Sequence, residues 1–138
     1  MQRPAKAKAR LIFLIGLLAS ILLYSAYNLY ILDPFVYEQM SRATRHLFKF
    51  GSLILAWAIG FLAFRNIAPS WLRQLWNILY ISSVTLLLIL AIIDAAIHGL
   101  PPALRQPIST FHEALISHIP YVVIGLLIRA TRPTPQNP

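Results

Sequence analysis

Four long apolar runs, separated by short polar stretches, dominate the pattern of this chain: from about Leu11 to Leu32, Leu47 to Phe64, Leu75 to Ile97 and Phe111 to Ile128. Each is near the length at which a helix rising 1.5 Å per residue crosses a hydrocarbon core of ~30 Å. The reading is all-α: one polytopic domain over residues 1–138, a bundle of four transmembrane helices at about 11–32, 47–64, 75–97 and 111–128. The first run is too long for the apolar core of a cleaved leader, and no small-residue cleavage site follows it.

Between the first two runs the pattern changes. Asp33-Pro34 has the form of an N-cap followed by proline at the first helical position. Val36, Met40, Ala43, Leu47 and Phe50 then recur at spacings of four and three, with Glu38, Arg42, Arg45, His46 and Lys49 on the other side. This predicts a short amphipathic helix over about 34–46, lying on the interface or extending the second span. Glu38 and Arg42 are spaced for an i,i+4 ion pair. The Pro-rich, polar end, 131–138, is expected to be a disordered tail.

Composition agrees with the pattern. The 138 residues are 58% hydrophobic and 12% charged, about half the charged fraction of an ordinary soluble domain, and four spans leave no room for a soluble catalytic domain. The net charge of +8 sits at the ends of the apolar runs, where lipid headgroups and the orientation rule account for it, so nucleic acid is not an expected partner. With the N-terminus inside, Arg3, Lys6, Lys8, Arg10, Arg65, Arg73, Arg129 and Arg132 fall on the inner side, and Arg42, Arg45, Lys49 and Arg105 on the outer. Eight against four favours both termini in the cytoplasm. A bacterial inner membrane is the expected location, with the mitochondrial inner membrane as the alternative. Trp71 and Trp76 stand where an inner aromatic belt would lie, and Tyr24, Tyr27 and Tyr30 form a stripe near the outer end of the first helix.

In this orientation every acid (Asp33, Glu38, Asp94, Glu113) and every histidine (His46, His98, His112, His118) lies in the outer half. Ionisable groups inside a membrane are costly and are candidates for function. Asp94 and His98, four apart, share a helix face and could share a proton or cation; alternatively, His98 ends the helix before Gly99. Thr110-Phe111-His112-Glu113 fits an S/T-x-x-E capping box, which would make Glu113 a cap at the start of the fourth helix. Ser109, Glu113 and Ser117, at intervals of four, would then edge a polar seam toward the third helix. His112 and His118, six apart, are about 120° around a helix and ill-placed to hold one ion. His118 is expected two turns inside the fourth helix, bonded to Ser82, Ser83 or Thr85, beside a kink or water site made by Pro120. Ala56 with Gly60, and Ala91 with Ala95, are small-residue pairs of the kind that lets helices approach closely.

There is no cysteine, which excludes disulfides, thiolate metal sites and thioether-linked haem. The first run has no carboxylate, unlike the four-helix small multidrug transporters. Nothing marks a nucleophile or a phosphate loop, so an independent enzyme is not expected and nothing calls for a cofactor. The leading expectation is a non-enzymatic membrane subunit or accessory protein, working through helix contacts with a membrane-protein partner or another copy of itself within the lipid bilayer. The alternatives are an outward-facing cation, proton or metal site built from Asp94, His98, Glu113 and His118, and a haem- or quinone-handling membrane anchor.

Overall fold

A computed structural model describes residues 3–97 and 99–131, with the side chains of residues 3–6 and of Pro102 left aside. His98 and residues 132–138, including most of the expected tail, lie outside the described residues. All the elements described are helices: α1 (Arg3–Tyr30), α2 (Pro34–Gln39), α3 (Arg42–Phe64), α4 (Ser70–Ala96), α5 (Pro102–Ile116) and α6 (Ile119–Ala130). Three stretches are long and apolar enough to cross a membrane: Ala7–Tyr30, Arg42–Phe64 and Ser70–Ala96. A fourth crossing exists if α5 and α6, which meet at a bend of 48°, count as one span.

The expected fourth helix over 111–128 is thus corrected to a broken pair that starts nine residues earlier. The Pro101-Pro102 step favours that start, because proline at N1 is pre-set for helical φ and lacks an N–H that would be unsatisfied there in any case. The break falls at Ser117 and His118. Ser117 leaves the helix with extended backbone, and its hydroxyl donates to the Ala114 carbonyl at 2.7 Å while accepting from the Ile119 N–H at 3.3 Å. Pro120 then occupies the first turn of α6, where its missing N–H costs nothing.

The amphipathic segment over 34–46 is also divided. Asp33 caps α2 as its sequence suggests, accepting from the Phe35 N–H at 2.9 Å, but α2 stops after six residues. Ser41 then caps α3, accepting from the Thr44 N–H at 3.2 Å. A serine with extended backbone at position 41 interrupts the helical phase, so Glu38 and Arg42 fall on opposite sides of the break and do not pair.

α3 is the central helix, packed on α1, α4 and α5. A third of its apolar span is buried (33%), against 11% for α1 and 17% for α4. Its inward face runs through Ser52, Leu53, Ala56, Gly60, Ala63 and Phe64, the three-and-four spacing of one helix stripe. α4 answers with Leu72, Trp76, Tyr80, Ser83 and Leu87. Trp76 is therefore core, 2% exposed, and only Trp71, 49% exposed, stands free as a belt residue would. The tyrosine stripe of α1 is split in the same way: Tyr27 points inward and Tyr30 outward.

Aromatic rings fill the gaps left by glycine at three places on two helix joints, α3–α4 and α1–α6. Trp76 lies against Gly60, Tyr121 against Gly16 and Phe13 against Gly125. Hydrogen bonds cross the same joints: Trp76 Nε1 donates to the Trp57 carbonyl at 3.1 Å, Trp57 Nε1 to Asn77 Oδ1 at 2.9 Å and Tyr121 to the Phe13 carbonyl at 3.0 Å, while Tyr80 ties α4 to α5 by donating to the Leu115 carbonyl at 2.7 Å. The Leu115 carbonyl is open to Tyr80 because Ile119, whose N–H would bond it in a continuous helix, lies past the break. Ala56 and Gly60 thus serve a joint inside the chain. Ala91 is half-buried and Ala95 exposed.

Candidate functional site

The helix ends gather into two polar regions. One, here called the Asp94 end, brings together the start of α3, the end of α4 and the first half of α5 around a cavity of about 670 Å³. At the opposite end Arg10 and Arg129 border a second groove, of about 490 Å³, between α1, α6 and the α3–α4 turn.

Asp94 sits on the last turn of α4. Its Oδ1 accepts from the Leu100 N–H at 2.6 Å, so the carboxylate closes the α4–α5 turn around Gly99, whose φ of +138° is a conformation open to glycine. Its Oδ2 lies 3.8 Å from His46 Nε2 on α3. The expected pairing of Asp94 with His98 falls on a residue outside the described ones; the contact with His46 joins residues 48 apart in the chain, which spacing along one helix has no means of showing. Arg105 folds over Gly99, and Arg42, Arg45 and Lys49 line the same cavity. The Arg45 guanidinium rests 4.3 Å above the Tyr37 ring, with its Nε donating to the Met40 carbonyl at 3.1 Å. Among the described residues the Asp94–His46 contact is the sole approach of a basic group to a carboxylate, so no arginine or lysine of this end is neutralised by direct pairing.

His112, expected in the capping box that starts a helix, lies instead within α5 and in the core, being 0% exposed. Its Nε2 is 3.0 Å from the Lys49 carbonyl and 3.2 Å from Ser52 Oγ. A carbonyl only accepts, so Nε2 carries the hydrogen and His112 ties α5 to α3. Nδ1 then presents a lone pair that has no partner among the described residues. The Tyr27 ring packs on the imidazole with centroids 5.2 Å apart. Buried position and long-range partner were both hidden from a reading of residues 110–113, because α5 begins earlier than the capping box implied.

Glu113 is not a cap. It lies in the last turn of α5 and accepts from the Ser109 hydroxyl at 3.1 Å, while Thr110, mid-helix, donates to the Gln106 carbonyl. Ser109 and Glu113 thus bond to each other within α5, and Ser117 belongs to the break. His118, expected two turns inside a continuous fourth helix, stands instead at the break, as the exposed residue that starts α6, where its ring meets Tyr24 edge-on at 6.4 Å between centroids. Ser83 and Thr85 bond to carbonyls of their own helix rather than to His118. Asp94, His112, Glu113 and His118 therefore do not converge, and no three His, Asp or Glu side chains among the described residues are arranged to hold a metal ion.

Comparison with protein families, with curated proteins and with solved structures finds no match to this chain.

Proposed function

We propose that the chain is a four-span protein of a bacterial inner membrane, with both termini cytoplasmic, acting as a non-enzymatic subunit or accessory protein through contacts between helices. Reading α5 and α6 as one broken crossing is supported by Arg10 and Arg129, which border the same groove: chain start and chain end then share a side, as an even number of crossings requires.

The observation that carries the functional reading is the position of Ser82 and Thr85. Both lie at the middle of α4 and are exposed, surrounded by outward apolar side chains such as Ile78, Ile81 and Ile89. Other polar groups at that level of α4, Tyr80 and Ser83, point inward. The two hydroxyls donate to the carbonyls of Leu79 and Ile81 in their own helix, which makes them tolerable beside lipid, and their oxygens retain acceptor capacity for a helix packed alongside. A partner span or a second copy of the chain, seated on this stripe of α4, would use both.

The test is a photo-reactive residue placed at Ser82, at Thr85 and, as a lipid-facing control, at Leu14 of α1, which is 59% exposed, in native membranes. The expected result is a discrete protein adduct at Ser82 and Thr85 and none at Leu14. Equal adduct patterns at all three positions would rule the contact out.

A further inference from the structure

We infer that the cavity at the Asp94 end is a binding site for a phosphate group presented at the membrane surface. Arg42, Arg45, Lys49 and Arg105 border it, joined by His46, and the one carboxylate in its lining is Asp94. Asp94 is occupied by the Leu100 N–H and His46. The side chains of Arg42, Lys49 and Arg105 make no hydrogen bond to the described residues, and none of them is paired with an acid. Four permanent positive charges around one concavity repel one another, and the repulsion is stronger beside apolar walls than in open water. An anion entering the cavity removes that cost. The same balance argues against a cation here, which would meet four like charges for one opposite charge.

Phosphate fits the donors. Guanidinium groups offer paired N–H donors that match its oxygens, and lysine adds a compact charge. Two features favour a phospholipid headgroup over free phosphate as the source. The cavity of about 670 Å³ is larger than a lone phosphate needs, and part of its lining is apolar, formed by Phe50, Leu87, Leu90 and Ile108. Leu47 and Phe48 beside Lys49 are exposed, 71% and 43%, so this turn of α3 presents apolar surface next to the cations that line the cavity. An interface between acyl chains and headgroups accepts both at once. The inference also accounts for the four basic residues that stand on the less basic side of the chain.

Because the chain has no cysteine, a fluorophore on Gln106→Cys, at the rim of the cavity, reports on this site alone. The full-length protein in neutral detergent is titrated with short-chain phosphatidylglycerol, with short-chain phosphatidylcholine as a zwitterionic control and with inorganic phosphate. The expected result is a saturable response to phosphatidylglycerol, weakened about tenfold or more by Arg42→Gln with Arg105→Gln. Both arginines are exposed, and an unchanged thermal unfolding profile verifies that the double variant folds. Asp94→Asn retains an oxygen for the Leu100 N–H but removes the opposing charge, and is expected to tighten binding. Saturation by inorganic phosphate at the same affinity would assign the site to free phosphate. No saturable response to either, or a response that the double variant leaves unchanged, would overturn the inference.

Discussion

The Trp76 indole lies against the bare Cα of Gly60, and its Nε1 donates to the Trp57 carbonyl at 3.1 Å, three residues before that glycine on α3. Contact and hydrogen bond together set how closely α3 and α4 approach. A Cβ at position 60 would overlap the indole ring, which is held on its other faces by Phe64 and Tyr80 at 5.2 Å and 4.6 Å between centroids. Gly60→Ala is therefore expected to destabilise the bundle by about 1–3 kcal/mol, the range for overpacking a filled core, and Gly60→Leu by more. Ala95→Leu, at an exposed position, is expected to change stability by no more than about 0.5 kcal/mol. Thermal unfolding in one detergent compares the three.

His112 and His118 are expected to separate sharply. His112→Ala removes a buried ring and leaves the Lys49 carbonyl with one donor fewer, which together cost about 2–4 kcal/mol. His118→Ala alters an exposed ring and falls within about 0.5 kcal/mol of the parent. Equal losses in the same unfolding assay would contradict the positions of the two rings.

Gly16 and Tyr121 should be coupled. A Cβ at position 16 would meet the Tyr121 hydroxyl, the same hydroxyl that donates to the Phe13 carbonyl at 3.0 Å. Tyr121→Phe alone is expected to cost about 1 kcal/mol for the lost hydrogen bond. Gly16→Ala is expected to be less damaging when combined with Tyr121→Phe than on its own, because the clashing oxygen is gone. A double-mutant cycle measures this, and strict additivity would argue against the contact.

These joints explain which parts of the structure were legible in the sequence. The apolar runs marked α1, α3 and α4, since their lengths respond to a local requirement, enough apolar residues in succession. Asp33-Pro34 likewise acts through its own neighbours and caps α2. Ser41, by contrast, breaks a hydrophobic period that reads through it, because Val36, Met40 and Ala43 keep the right spacing whether or not the backbone turns between them. The capping box at Thr110–Glu113 misled for a related reason: Ser109 and Glu113 bond equally well within a helix at i,i+4. At the Asp94 end the composition was visible and the partners were not. His46–Asp94 and His112–Lys49 join residues far apart in the chain, and only the packing of α3 against α4 and α5 brings them together. The sign of the cavity was hidden too, since Arg42, Arg45, Lys49 and Arg105 read as flanking charges until they line one concavity.

The central claim is a four-span topology in which the Asp94 end faces away from the cytoplasm, and cysteine accessibility tests it most directly in a chain that has none of its own. Ala7→Cys, Asn66→Cys, Gln106→Cys and Thr131→Cys, all at exposed positions, are made singly and treated in intact cells with a membrane-impermeant maleimide. The account expects Gln106→Cys to label from outside, and the other three only after the cells are permeabilised. Labelling of Thr131→Cys from outside would make α5 and α6 a re-entrant pair in a three-span protein. Labelling of Ala7→Cys and Asn66→Cys from outside, with Gln106→Cys protected, would invert the orientation.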